Sequence, residues 1–283
     1  MNFKQDKLFL KVKDHSVTKE MFELHKDETL DMLATFPKPD ILLLPKYYES
    51  DDYISHTDGR RSLFEMAYHL VKGFALKKKV ALLNKLQKNK GQLLDIGAGT
   101  GDFLYAAKKN GWCVAGAEPS EKATTIAAGK GISLLENTES LADHSFDVIT
   151  MWHVLEHVYD PENQIKELKR LLKPNGTIII AVPNFNSYDA KHYGEYWAAY
   201  DVPRHLWHYS KTSIKKLFEN EDIILQEILP MKYDAFYVSL LSEKYKSGKM
   251  NFIRAFKTGL NSNNQGSKNG EYSSHIYILQ HLK

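Results

Sequence analysis

The run Leu93-Leu-Asp-Ile-Gly-Ala-Gly-Thr-Gly-Asp-Phe-Leu104 constrains the fold of this chain more than any other stretch, because it joins a short apolar strand to a helix through three alternating glycines. Such a junction sets bare backbone and a helix N-terminus against a bound nucleoside, since glycine tolerates both the left-handed turn and the close approach. The simplest alternative is that Gly97, Gly99 and Gly101 only turn the chain. A second acid argues against it: Val114-Ala-Gly-Ala-Glu118 reads as the next strand, and Glu118 ends it where an acceptor for two ribose hydroxyls belongs.

The chemistry of the ligand follows from one position. A dinucleotide fingerprint places its third glycine at residue 102, which here is Asp, and an anion there opposes a pyrophosphate. S-adenosylmethionine carries no phosphate and its sulfonium and ammonium are cationic, so Asp95 before the loop and Asp102 at its exit suit it better. On this reading Gly97, Ala98, Gly99 and Gly101 bring backbone against the cofactor, Asp95 acts on its ammonium end, Glu118 holds the ribose, and Pro119 shapes the adenine wall. A nicotinamide oxidoreductase is disfavoured by the same Asp102.

From Gln92 the chain alternates: strand 92–96, helix 101–110, strand 112–117, helix 120–129, strand 132–136, strand 146–151, helix 161–172 and strand 176–182. Alternation of this kind means a parallel sheet in an α/β fold with helices on both faces. Asp160-Pro161 is a helix start and Lys173-Pro-Asn-Gly176 the matching stop. Residues 62–88 carry apolar positions at helical spacing. Strand 223–229, an apolar segment 235–241 and the terminal run 275–281 complete the sheet, while 261–270, almost all polar and glycine, is expected to be mobile. Residues 1–60, broken by Pro37, Pro39 and Pro45, form an N-terminal lobe or lid, and 61–283 form the main domain with a substrate cap at 184–210.

Composition sets the outer limits. The 38 basic and 35 acidic residues leave a net charge of only +3, without a basic stripe for nucleic acid. No window has the length and hydropathy of a membrane span, and the start lacks the apolar stretch of an export signal, so a cytoplasmic protein without membrane insertion is expected. The single Cys113 excludes an internal disulfide and reads as an inert buried thiol beside the second strand.

Residues 90–183 resemble the class I S-adenosylmethionine-dependent methyltransferases, through Leu94-Asp-Ile-Gly-Ala-Gly-Thr-Gly101, Ala117-Glu-Pro-Ser120, Phe146-Asp-Val-Ile149 and Leu171-Leu-Lys-Pro-Asn-Gly-Thr177. The ubiquinone-type small-molecule methyltransferases are the most similar group, and Val202-Pro-Arg-His-Leu-Trp-His-Tyr-Ser210 resembles a subset of it. The resemblance implies a Rossmann-like, mostly parallel sheet of seven strands with an antiparallel last strand. It also implies an adenine contact near Asn137, a cofactor or acceptor contact at His153, and a segment containing Tyr53 and His56 that crosses the cofactor. Members of the group often carry zinc-ribbon cysteines ahead of a Thr-Phe-Pro turn; here Thr35-Phe-Pro37 stands without them, which argues against a metal.

Methyl transfer from a sulfonium is an in-line displacement, so the protein mainly aligns the nucleophile and excludes water, with a base useful but not obligatory. Histidines at the carboxyl ends of the strands are candidates: His153 and His205 as catalytic groups, with Arg204 and His208 beside Tyr53 for the acceptor. The opposing reading is that the aromatic and histidine side chains between Tyr188 and Tyr209 pack the cap. His153-Val-Leu-Glu-His157 matches H-x-x-E-H, but it starts at a strand end and meets Pro161 within a turn, so no zinc site is expected. The sequence thus points to transfer of a methyl group to a small-molecule acceptor, with oxygen favoured. The alternative is a degenerate S-adenosylmethionine-binding protein that engages a protein or glycan partner.

Overall fold

In the computed structural model, which describes residues 3–48 and 63–282, the chain opens with three antiparallel strands, β1 (Lys7–Lys13), β2 (Met21–Asp27) and β3 (Met32–Phe36). Their buried residues Val12, Phe22, Leu24 and Leu33 gather around a second set from the cap, Tyr193, Trp197, Tyr200 and Val202. Helix α1 (Leu63–Leu86) then leads into β4 (Gln92–Ile96), the glycine loop and α2 (Asp102–Lys109). The alternation continues through β5 (Cys113–Ala117), α3 (Glu121–Ala128), β6 (Phe146–Trp152), α4 (Pro161–Leu171) and β7 (Leu172–Pro183). After α5 (Tyr188–Tyr193) and β8 (Trp207–His208) come α6 (Lys211–Glu219), β9 (Ile223–Pro230), α7 (Asp234–Ser247), α8 (Phe252–Asn269) and β10 (Ser274–His281).

The main sheet runs β5-β4-β6-β7-β10-β9, with the first four strands parallel and β10 antiparallel to both neighbours. Its central residues are apolar on both sides because helices cover both faces. Leu93, Val148 and Ile179 meet Val80, Leu83, Phe103 and Leu104 on one side. Leu94, Ile149, Ile178 and Ile180 meet Ile165, Leu168, Ile214 and Phe218 on the other. Asp160 caps α4 through the Asn163 N–H at 3.2 Å, with Pro161 in the first turn, as the sequence implies.

Several expectations are corrected. The sheet has six strands among the described residues, not seven: the segment 132–136 contributes a single parallel bridge, Ala117 to Leu135. Just beyond the bridge the Asn137 carboxamide accepts the Glu139 N–H at 3.1 Å, a local turn that leads the chain off the sheet edge. Residues 235–241 are helical within α7, an apolar run too short for its length alone to decide between helix and strand. Residues 261–269 lie in α8, where polar bonds replace the missing apolar side chains: Ser262 donates to Asp189 at 2.6 Å and Asn263 to the Lys232 carbonyl at 2.9 Å. Lys173–Gly176 do follow directly on the end of α4, which stops at Leu171 with Leu172 as its cap, and they form an excursion at the start of β7, between the pairs Phe146–Leu172 and Val148–Thr177. Cys113 is exposed, since it opens the edge strand β5.

The N-terminal strands and the cap share a second sheet, β1-β2-β3-β8, through the pairs Leu33–His208 and Ala34–Trp207. Among the described residues no helix is long and apolar enough to cross a membrane.

Candidate active site

The glycine loop turns where its residues demand it. Gly97, Gly99 and Gly101 have φ of 70°, 52° and 73°, and a Cβ on Gly97 would come within 2.4 Å of Val154 Cγ2. A Cβ on Gly99 would meet nothing within 4 Å, so open space lies above the middle of the loop. The N–H groups of Gly97 and Ala98 both donate to the Ala117 carbonyl, at 2.8 and 3.1 Å, which pins the loop to the end of β5. Glu118 then clamps it from the side. One carboxylate oxygen accepts the Gly99 N–H at 2.8 Å and the other the Ser120 N–H at 3.0 Å. Pro119 and Asn137 are exposed next to this edge.

Asp95 lies under the loop, 3% exposed, and accepts the Thr150 hydroxyl at 2.6 Å. Burial pushes its carboxyl up to about 7, against the Thr150 bond and the charge of Lys79, which lower it. Lys79 reaches in from α1, with its Nζ 4.2 Å from the Trp152 ring centroid, and burial brings its ammonium down to about 8 against the pull of Asp95 and Asp234. Trp152 in turn packs edge-on against Phe103, centroids 5.6 Å apart. Asp102 is paired with Lys130 at 2.6 Å, so the acid that argued against a pyrophosphate is partly neutralised.

His153 follows β6 in a left-handed conformation, φ 58°, and both ring nitrogens face carboxylates: Nδ1 lies 3.2 Å from Glu156 and Nε2 3.0 Å from Asp234. Burial would lower its basicity, but the bonds and charges of Asp234 and Glu156 outweigh it and raise the imidazole to about 10. A histidine held as a cation is a poor base at neutral pH, and its two contacts make His153 an ion-pair link between β6 and α7. Because the folded form binds its proton more tightly, the link stabilises the fold fully below its ordinary 6.5 and is lost as pH rises through about 10. The His153 ring signals in a nuclear magnetic resonance titration are therefore expected to stay flat between about pH 6 and 8.5; a midpoint near 6.5 would return His153 to the candidate bases.

The three cap residues are held by contacts within the protein. Arg204 is almost wholly buried, and its guanidinium donates to Asp201 at 2.6 and 3.0 Å, Asp14 at 3.0 Å, Ser16 at 3.0 Å and the Tyr47 carbonyl at 2.8 Å. Those partners leave it no fork for an acceptor, and it ties the cap to β1's following turn instead. His208 is buried with Nε2 3.1 Å from the Thr35 hydroxyl; that hydroxyl donates to the His205 carbonyl at 2.7 Å, so the imidazole is the donor. Burial and the neighbouring His205 drive His208 far below 6.5, leaving it neutral. His205 is 8% exposed and its Nδ1 lies 2.9 Å from the Ala199 carbonyl, a packing position within the cap. Tyr53 and His56 lie outside the described residues.

The H-x-x-E-H segment forms a short turn over Leu155–His157, with His153 Nε2 at Asp234 and His157 Nδ1 at the Arg204 carbonyl. Among the described residues, the grouping with metal-ligand spacing is Glu156, His157 and His205, one atom from each lying within 4.8 Å of the others. His157 has its Nδ1 3.0 Å from the Arg204 carbonyl, and burial with the neighbouring His205 brings it down to about 4. Sequence reading missed Thr150, Lys79 and Asp234. Thr150 stands on β6 as the register partner of Asp95 and Lys79 on α1, while nothing in the sequence marks Asp234.

A family model described as a methyltransferase domain matches residues 66–223, more than half of the chain. The chain belongs to that methyltransferase family. A ubiquinone biosynthesis O-methyltransferase from Nitrosospira multiformis is 26% identical over 184 residues, covering 58% of this chain and 75% of its own length. One of the same name from Thiobacillus denitrificans is 34% identical over 106 residues, covering 34% of this chain and 46% of its own length. A Thermotoga maritima structure described as a SAM-dependent methyltransferase, possibly a histamine N-methyltransferase, shares the fold with a TM-score of 0.52. It is 23% identical and covers 77% of this chain and 94% of its own. The methyltransferase uses S-adenosylmethionine as its methyl donor, and the open loop with its clamping acid fits that molecule.

Proposed function

We propose that this methyltransferase transfers a methyl group to the hydroxyl oxygen of a small-molecule acceptor, in line with the O-methyltransferases to which it is similar. The observation that carries the cofactor half of this reading is the Glu118 carboxylate bonded to the Gly99 N–H across an open glycine loop. S-adenosylmethionine supplies the electrophilic methyl when bound. Gly97, Ala98, Gly99 and Gly101 give it backbone, Glu118 its ribose acceptor, Pro119 and Asn137 its adenine edge, and Asp95 a carboxylate for the ammonium end.

Asp95 makes this reading dependent on pH. Its carboxyl ionises near 7, and only the anion attracts an ammonium, so affinity for S-adenosylhomocysteine is expected to fall as pH drops from 8 to 6. Calorimetric titration at both ends checks this; equal affinities remove Asp95 from the contact.

The acceptor side follows from what the histidines do. His153 is held protonated, while His205 and His208 sit inside the cap. That arrangement favours an acceptor acidic enough to ionise largely by itself, a phenol or enol rather than an aliphatic alcohol. Incubation with methyl-labelled S-adenosylmethionine and a panel of phenols, alcohols and amines tests it. Label on a phenolic oxygen is the expected product, and transfer to nitrogen or carbon overturns the assignment.

A further inference from the structure

Helix α8 is turned inside out. Its buried positions are Ala255, Thr258, Gly259, Ser262 and Gly266, all small, whereas Phe252, Ile253, Phe256 and Leu260 face outward at 57%, 71%, 57% and 41% exposure. The small residues let α8 lie close on its neighbours: a Cβ on Gly259 would meet the Phe236 ring at 2.6 Å. Close packing alone explains the inner face and says nothing for four large apolar residues on the outer one. Scattered surface apolar residues are ordinary, but a contiguous stripe marks a surface that something covers.

The charge around the stripe identifies what covers it. From Lys244 to Lys268 the chain has Lys244, Lys246, Lys249, Arg254, Lys257 and Lys268 and no acidic residue, although the whole protein is nearly balanced at +3. A purely apolar partner would not need that charge, and an exposed apolar face edged with lysine and arginine matches a surface with an anionic layer over hydrocarbon. The stripe also continues toward the catalytic edge. Phe256 stacks on Phe236, centroids 5.4 Å apart; one turn earlier Tyr233, 41% exposed, meets Phe74 of α1 at 5.6 Å; and Asp234, the His153 partner, is the next residue.

We propose that the outer face of α8, with the preceding Lys246–Asn251 segment, docks peripherally on an anionic lipid bilayer. Phe252, Ile253 and Phe256 enter the interface while Lys246, Lys249, Arg254 and Lys257 lie along the headgroups. The docking stands apart from the choice of acceptor and does not rest on it.

Flotation of the full chain with phosphatidylcholine vesicles, alone or with about a third phosphatidylglycerol, tests this. The expected result is binding to the anionic vesicles only, weakened at high salt, and reduced at least ~tenfold in a triple variant Phe252→Ser, Ile253→Ser, Phe256→Ser that retains S-adenosylhomocysteine binding and its circular dichroism. A charge variant, Lys249→Glu with Arg254→Glu, is expected to lose binding as well and guards against a misfolded triple variant. Absence of flotation with anionic vesicles, or flotation that both variants keep, overturns the proposal. So does sedimentation showing a dimer that the triple variant dissolves while vesicles bind neither form, since a second copy would then be the partner of this face.

Discussion

Arg204→Ala is expected to lower the stability of the folded chain by about 3–5 kcal/mol, the cost of leaving buried carboxylates without their counter-ion. Asp14 is wholly buried and accepts the Val17 and Thr18 N–H groups as well as Arg204, and Asp201 is held at 2.6 Å by the same guanidinium. Both carboxyls lie below the ordinary range despite burial because of that charge. Removing it leaves two anions from different parts of the chain facing an apolar cap. Urea unfolding of the variant against the parent measures the loss. An acceptor-binding arginine would behave differently, with unchanged stability and a raised KM for the acceptor, and that result would restore the reading made from sequence.

Glu118→Ala is expected to weaken S-adenosylhomocysteine binding by about 1–3 kcal/mol through loss of charge-assisted hydrogen bonds. The variant also removes the partner of the Gly99 N–H, so the loop loses its lateral clamp at the same time as the acceptor proposed for the ribose. Glu118→Gln separates the two contributions, because the carboxamide oxygen can still accept the Gly99 N–H but presents no anion. Calorimetry on the three proteins is expected to rank the parent above the glutamine variant and that above alanine. Equal affinities would mean that Glu118 only shapes the loop.

The glycine loop and its clamping acid were legible because their geometry is local. Gly97, Gly99, Gly101 and Glu118 lie within 22 consecutive residues, and a strand, a tight turn and a helix bring them together without help from elsewhere. The surroundings of the acceptor candidates were less legible because their contacts act over distance. Arg204 has the residue type of a substrate clamp, but its partner Asp14 is 190 positions away, and local pattern carries no trace of that pairing. His153 likewise stands where a base belongs, and its pairing with Asp234 on a distant helix, added to that with the nearby Glu156, is what raises its basicity. Helix α8 was misjudged for a related reason: Asn, Ser and Gly predict a loose chain unless a hub such as Asp189, which accepts from Trp197, Ser262 and Ser273, is there to bond them.

The pairing of β3 with β8 sets a limit on how this enzyme can be cut. Leu33 and Ala34 supply the hydrogen-bonding neighbour of Trp207 and His208, and Thr35 supplies the hydroxyl that fixes His208. A fragment beginning at α1 would keep every residue of the glycine loop and still present β8 as a bare edge, with Arg204 stripped of Asp14 and Tyr47. The stretch matched by the family model therefore leaves out contacts that hold the cap, and the first strands are as much a part of the folded body as the glycine loop.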